Sequence, residues 1–232
     1  LALLLLQGIN PPRTELDRQS QCLNNEKNLA WGMRHYTSSQ GCYPPAYTVD
    51  ENGNRLHSWR TLLLPYLERS DIYDQINLDE PWNSPANLEV FTEIRVPEFF
   101  QCPGDNEILN TKFTSYSVIV GTDTPFDPEQ EVTSDMIGTH DGESNTLAIV
   151  EMRNSDIPWY EPRDLVLDDL DTGINNPAIT DRPALGSQHP GVMFAAFCDG
   201  RVVKLSEENT TKKLHIIASF QNDEEIYDGE LK

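Results

Sequence analysis

Apolar positions change spacing three times along this chain, and each change predicts a different kind of structure. Residues 1–6, Leu-Ala-Leu-Leu-Leu-Leu, form an unbroken apolar run, well short of the roughly 20 residues needed to cross a bilayer. No Met and no basic flank precede it, so it is expected to be the end of a longer apolar segment. Pro11 and Pro12 then interrupt any continuous helix and permit a new one to begin. From Thr14 to Gln40 the spacing is helical: Leu16, Leu23 and Ala30 recur every seven residues, Cys22, Leu29 and Tyr36 lie beside them, and Met33 falls between. Glu15, Asp17, Arg18, Asn24, Glu26, Lys27 and Arg34 are expected to face water, and Ser38, Ser39, Gln40 and Gly41 to stop the helix.

Beyond Gly41 the pattern breaks into short units. Asn52-Gly53, bracketed by residues 48–56, is a two-residue hairpin signal. Residues 58–68 predict a short helix capped by Ser58, with residues 61–64 on its core face and a break at Pro65. Residues 71–76 predict another turn or two of helix, followed by Trp82 as a packing anchor, and residues 87–95 a further helix. Residues 96–103 read as an extended run closed by a turn. The period then drops to two, predicting strands over 113–120, 135–140 and 146–151. After an irregular acidic stretch from 152 to 188, Asp199-Gly200 separates the apolar runs 192–198 and 201–205. This predicts a hairpin with a type I′ turn, in which both central residues take positive φ. A last helix over 206–220 is expected to open at Ser206, with Asn209, Thr210 and Thr211 as competing caps, and to bury Leu214, Ile217 and Ala218.

Composition narrows the partners. Thirty-eight acidic against 17 basic residues give a formal charge of −21 over 232 residues, which disfavours binding to nucleic acid or to anionic lipid. Sixteen prolines and 13 glycines fit a head of short strands and many turns. Cys22, Cys42, Cys102 and Cys198 include no C-x-x-C pair, so zinc spacing is absent. The even count behind a hydrophobic N-terminus favours disulfides, with three full connectivities open, against the alternative of free core thiols. Asp168, Asp169 and Asp171 are candidate oxygen ligands for calcium, weighed against a simply solvated acidic loop. Asp50, Asn52 and Asn54 are a weaker candidate, because Gly53 falls where an EF-hand loop has no glycine.

Several segments taken in order carry a family resemblance. Nine residues separate His189 from Asp199-Gly200, an H-x9-DG spacing. Gln21-Cys22 with Asn24-Asn25, Tyr43-Pro44-Pro45, Ser58-Trp59 with Leu63-Leu64-Pro65-Tyr66 and Glu68, and Phe100 with Cys102-Pro103 precede it, as do Asp141-Gly142, Ser144-Asn145-Thr146 and Glu151. Together they resemble the domain-of-unknown-function 1559 family of planctomycete bacteria, similar in layout to type II secretion pseudopilins of the G type. The resemblance implies an α+β, pilin-like fold. A long N-terminal helix would pack on an antiparallel β-sheet head with a C-terminal helix, residues 1–40 forming stub and spine and residues 41–232 the head. It implies signature roles for His189, Asp199, Gly200, Asp141, Gly142, Asn145 and Glu151. Cys42 and Cys198 stand outside the usual pattern, so pairing of these two would leave Cys22 with Cys102.

The function implied is a non-enzymatic structural subunit of a cell-envelope filament or secretion apparatus, self-associating through its N-terminal helix and held at the membrane by the segment before it. The prepilin processing motif is absent from the chain as given. A rival reading is an extracytoplasmic solute- or glycan-binding module, with Trp159 and Tyr160 either lining a site or packing the long loop down. A hydrolase would draw on His140, Asp141, His189 and Asp199, but both acids sit in Asp-Gly turns, and no G-x-S-x-G, H-E-x-x-H or phosphate loop occurs.

Overall fold

The structure, a computed structural model, describes residues 14–109 and 111–221. The leucine-rich run at 1–6 and the prolines after it lie outside the described residues. The described chain opens with α1 (Glu15–Gln40), which the sequence builds at both ends. Thr14 Oγ1 accepts from the Asp17 N–H at 3.1 Å while Asp17 Oδ2 accepts from the Thr14 N–H at 2.9 Å, a reciprocal capping box. At the other end Gly41 takes φ +83° and donates to the Thr37 carbonyl, a left-handed cap that glycine adopts without steric cost.

The head follows as β1 (Tyr47–Val49), β2 (Arg55–Ser58), α2 (Trp59–Leu63) running into a 3-10 turn over Leu64–Leu67, α3 (Ser70–Tyr73) and α4 (Pro85–Glu93). Then come β3 (Tyr116–Ser117), β4 (Ile119–Val120), α5 (Ser134–Gly138), β5 (Leu147–Arg153), β6 (Leu165–Val166), β7 (Ala184–Leu185), β8 (Val192–Phe197), β9 (Val202–Ser206) and α6 (Thr211–Ala218). The main sheet runs β3-β5-β8-β9 with every pairing antiparallel, and β7 joins the far end of β5. β4 pairs with β6 in parallel beside it.

Strand β8 explains the layering. Phe194, Ala196 and the following Cys198 point into the core beneath α1, while Met193, Ala195 and Phe197 point into a second core with Leu214, Ile217 and Ala218 of α6. With both faces covered, β8 reads as a continuous apolar run. In β5 the alternation slips once, where the register shifts between Leu147 and Ile149. Ala148 and Ile149 therefore both face the spine. From there Val150 and Met152 return to the α6 side, leaving Glu151 between them. The architecture is thus the expected α+β one: a long N-terminal helix on one face of an antiparallel sheet and a C-terminal helix on the other.

Several local expectations need correction. Residues 135–140 are not a strand: Thr133 Oγ1 caps the Met136 N–H at 3.2 Å and starts α5, so the local cap decides the conformation. Residues 113–120 are not one strand but β3 and β4 with different partners, because Ser117 spends its hydroxyl on the Val118 carbonyl and on Asp164. Residues 96–103 contain a 3-10 turn over Glu98–Phe100. Ser206 ends β9 and α6 begins later, capped by Thr210. Neither predicted hairpin turn is the two-residue kind. Phe197 and Arg201 are bonded across a three-residue loop, and only Gly200 (φ +88°) is left-handed; Asp50, Asn54 and Gly53 (φ +81°) repeat the pattern. A type I turn closed by a left-handed glycine needs one positive φ where the type I′ turn needs two.

Candidate functional site

The signature residues converge on the seam where α1 lies against the sheet. Glu26, expected to face water, is fully buried. It stands one turn beyond Cys22 and three residues before Leu29, on the inward face of α1. Glu151 is buried opposite it, and its Oε2 accepts the Phe194 N–H at 2.7 Å. Glu151 Oε1 and both oxygens of Glu26 have no hydrogen-bond partner. Burial pushes the Glu26 carboxyl well above the usual carboxylate range, and the neighbouring Glu151 adds to it; the Ala196 backbone offsets only part. Burial likewise raises Glu151, against the pull of the Phe194 N–H. The pair is therefore protonated far above the pH at which exposed glutamates ionise.

His189 completes the seam. Its Nδ1 lies 2.6 Å from Glu15 Oε1 and its Nε2 lies 3.3 Å from Cys102 Sγ. Cys102 is joined to Cys22 by a disulfide across 80 residues of chain, which ties α1 to the head. Burial opposes ionisation of Glu15, but hydrogen bonds from His189, Gln19 and Arg18 hold it below the usual range. Gly104 gives the imidazole its room: a Cβ there would meet His189 Cε1 at 2.6 Å. Asn25 Nδ2 donates to the carbonyls of Glu98 and Gln101 and fastens the same stretch to the helix.

The Asp199-Gly200 end of the hairpin meets α1 some five turns further on. Arg34 Nη1 donates to the Asp199 carbonyl at 2.6 Å, and the Gly200 backbone lies so close that a Cβ would sit 2.6 Å from Arg34 Cδ. Asp199 Oδ1 accepts the Arg201 N–H, shaping the turn. The Asp141-Gly142 loop docks on that turn. The Asp199 N–H donates to Glu143 O, Cys198 N–H to Thr146 O, and Arg201 Nη2 to Ser144 O. Asn145 Nδ2 closes the loop on the Asp141 carbonyl, and Gly142, at φ +86°, donates to Ile137 O. His189 and Asp199 flank β8, and their partners Glu15 and Arg34 lie nineteen residues apart in α1. At about 1.5 Å per residue the two fastenings on α1 are roughly 28 Å apart, one near each end of the helix.

A second network was not foreseen from sequence. Arg60, fully buried after the capping Ser58, puts Nη2 at 2.6 Å from Asp164 Oδ1. Trp59 Nε1, Ser117 Oγ and the Val118 N–H donate to that same carboxylate oxygen, and Arg60 Nε and Nη2 donate to Tyr116 O. A Ser-Trp-Arg run with a cap and an arginine inside an otherwise apolar helix was the available signal.

Other candidates are scattered. Cys42 and Cys198 are free thiols and do not pair. The neighbouring Tyr43, not Cys42, reaches the strand end at Cys198, its Oη donating to Glu143 and lying 3.4 Å from the Cys198 carbonyl. Trp159 and Tyr160 are buried in a stack with Phe91 and Phe100, taking the packing role rather than lining an exposed site. His140 is exposed just after α5, with Nδ1 at 2.7 Å from the Met136 carbonyl. Asp169 accepts from Arg182 and from the Val166 N–H, Asp171 from His215, and Asp168 is exposed. Asp50 caps its own loop through Asn52 and Asn54.

Among the described residues no helix is long and apolar enough to cross a membrane. A disulfide buried in the core is the chemistry of an extracytoplasmic protein. No curated protein and no solved structure matches the chain. A family model described as "Protein of unknown function (DUF1559)" matches residues 15–140, spanning the capped spine, both halves of the disulfide and the buried Arg60. With more than half its length matched and the pilin-like arrangement of spine and sheet in place, the chain belongs to the DUF1559 (SBP_bac_10) family.

Proposed function

We propose that this protein is a non-catalytic, pilin- or pseudopilin-like structural subunit of a cell-envelope filament or secretion apparatus. One observation carries the reading: His189, Asp199, Gly200 and the Cys22–Cys102 pair all meet α1, holding or fitting it against the head at both ends of the seam. A chain that invests its signature in locking a spine to a head is built to transmit load along that spine.

The outer face of α1 is polar apart from Leu16 (74 % exposed) and Trp31 (63 % exposed). Association through the described part of the helix would rest on those two side chains. The leucines at 1–6 supply the larger apolar area, so membrane anchoring and contact between copies are assigned to them. The test is electron microscopy of native envelope material with immunogold labelling of this chain. Labelled fibres or envelope-bound assemblies are expected; label found only on dispersed monomers would overturn the proposal.

A further inference from the structure

Cys22, Cys102, His189 and Glu151 are all buried, and one ligand-type atom from each lies within 4.8 Å of the others. We propose that in its dithiol form this protein holds one thiophilic divalent cation of the zinc class between these four side chains. The ligands come from four separate parts of the chain, so no linear zinc spacing announces them.

Three observations converge on this. Glu15 Oε1, 2.6 Å from His189 Nδ1, is placed to accept a proton from it, and in that tautomer the imidazole presents the Nε2 lone pair toward Cys102 Sγ, 3.3 Å away. A carboxylate that orients a histidine from behind is the usual outer shell of a metal-bound imidazole. Next, Glu151 Oε1 is buried without a hydrogen-bond partner, the nearby Ser187 hydroxyl donating to the Val192 carbonyl instead. Finally, two sulfurs, one imidazole and one carboxylate form a tetrahedral zinc set, whose donor atoms stand roughly 3.5 Å apart around a shared ion. Opening the sulfur–sulfur bond lets the donors spread to that separation. Glu15, whose side chain is 38 % exposed, stands outermost over the otherwise buried cluster.

The chemistry balances without a further reactant in the binding step. A newly made chain carries two thiols; the cation forms two metal–sulfur bonds and one metal–carboxylate bond, displacing the two thiol protons and the Glu151 carboxyl proton to solvent. Oxidation by a disulfide donor then joins Cys22 to Cys102, reduces the donor to its two thiols with two protons taken from solvent, and releases the cation. The same seam is therefore closed by a metal before oxidation and by a covalent bond after it.

The experiment uses the full chain, with Co²⁺ as the spectroscopic probe and Zn²⁺ as competitor, in parallel on phosphine-reduced and oxidised protein. One equivalent of cobalt with thiolate-to-metal charge transfer is expected in the reduced form and none in the oxidised form. His189→Gln and Cys22→Ser should abolish it, and Glu15→Gln, a positioning change, should weaken it about 10- to 100-fold while keeping the charge-transfer band. Circular dichroism follows the fold throughout. If reduction unfolds the chain, restoration of the folded spectrum by Zn²⁺ in the parent but not in His189→Gln supports the site. Failure of Zn²⁺ to restore it, no stoichiometric binding by folded reduced protein, or equal binding by Cys22→Ser through Cys42 or Cys198, overturns it.

Discussion

Glu26 shows what a polar letter in a helical pattern conceals. Alternating polar and apolar positions assign a glutamate to solvent, yet its offsets from Cys22 and Leu29 place it on their face. Geometry made it legible where hydropathy did not. Because burial raises both Glu26 and Glu151, the folded protein keeps protons that the unfolded chain releases near the ordinary glutamate value of 4.5. Their contribution is complete below that value and is lost as pH rises toward and through the folded values. Carboxylates held low, such as Glu15 and Asp127, act in the opposite sense but have finished titrating by about pH 5. Urea midpoints are therefore expected to fall steadily from pH 5 to pH 9, and Glu26→Gln should raise the midpoint at pH 8 and flatten the slope; an unchanged slope would contradict the buried acid pair. Arg60→Ala leaves Asp164 charged and buried, at a cost of about 3–5 kcal/mol in chemical denaturation. Arg163→Ala, which breaks only half-exposed pairs, should cost about 1 kcal/mol or less.

At the scale of elements, what the chain shows in advance is what local chemistry alone determines. The spine was legible because the helical spacing of Cys22, Leu29, Ala30 and Met33 and the stop at Gly41 agree, although Leu16, placed on the same stripe, is exposed. The β8–β9 hairpin was legible because two apolar runs flank Asp199-Gly200, while its turn class was not, since the same dipeptide serves both loop lengths. The strand expected at 135–140 failed because a short apolar run has no period of its own, and the Thr133 cap outweighed it. Gly200 combines positive φ with a close approach to Arg34, so Gly200→Ala is expected to cost roughly 1–2 kcal/mol from backbone strain alone. Thermal melts check it, and Gly138→Ala, at a glycine with open space around its Cβ position, is the control that should stay near the parent Tm.

Across the whole molecule, the sheet separates two cores, one beneath the spine and one beneath α6. This layering followed from resemblance and patterning together, whereas the convergence of Cys22, Cys102, Glu151 and His189 depends on tertiary pairing that no local window contains. A formal charge of −21 sets the conditions for association: copies brought side by side repel, with a reach of about 30 Å at 0.01 M salt and about 8 Å at 0.15 M. If the chain assembles as proposed, the sedimentable fraction of native material should rise with salt over that range. A fraction that is flat or falls would argue for contacts governed by complementary charge instead.

The nine residues between His189 and Asp199 act as a gauge with two graduations, parity and reach. Inserting one residue in β8 would turn every later side chain to the opposite face, exposing Cys198 and Phe194 to the wrong core. Inserting two would restore the faces but carry Asp199 about 6.6 Å beyond the guanidinium that receives it. Insertions are thus expected to be tolerated in the loops but not in this hairpin, where a change of length would unseat the helix it clasps.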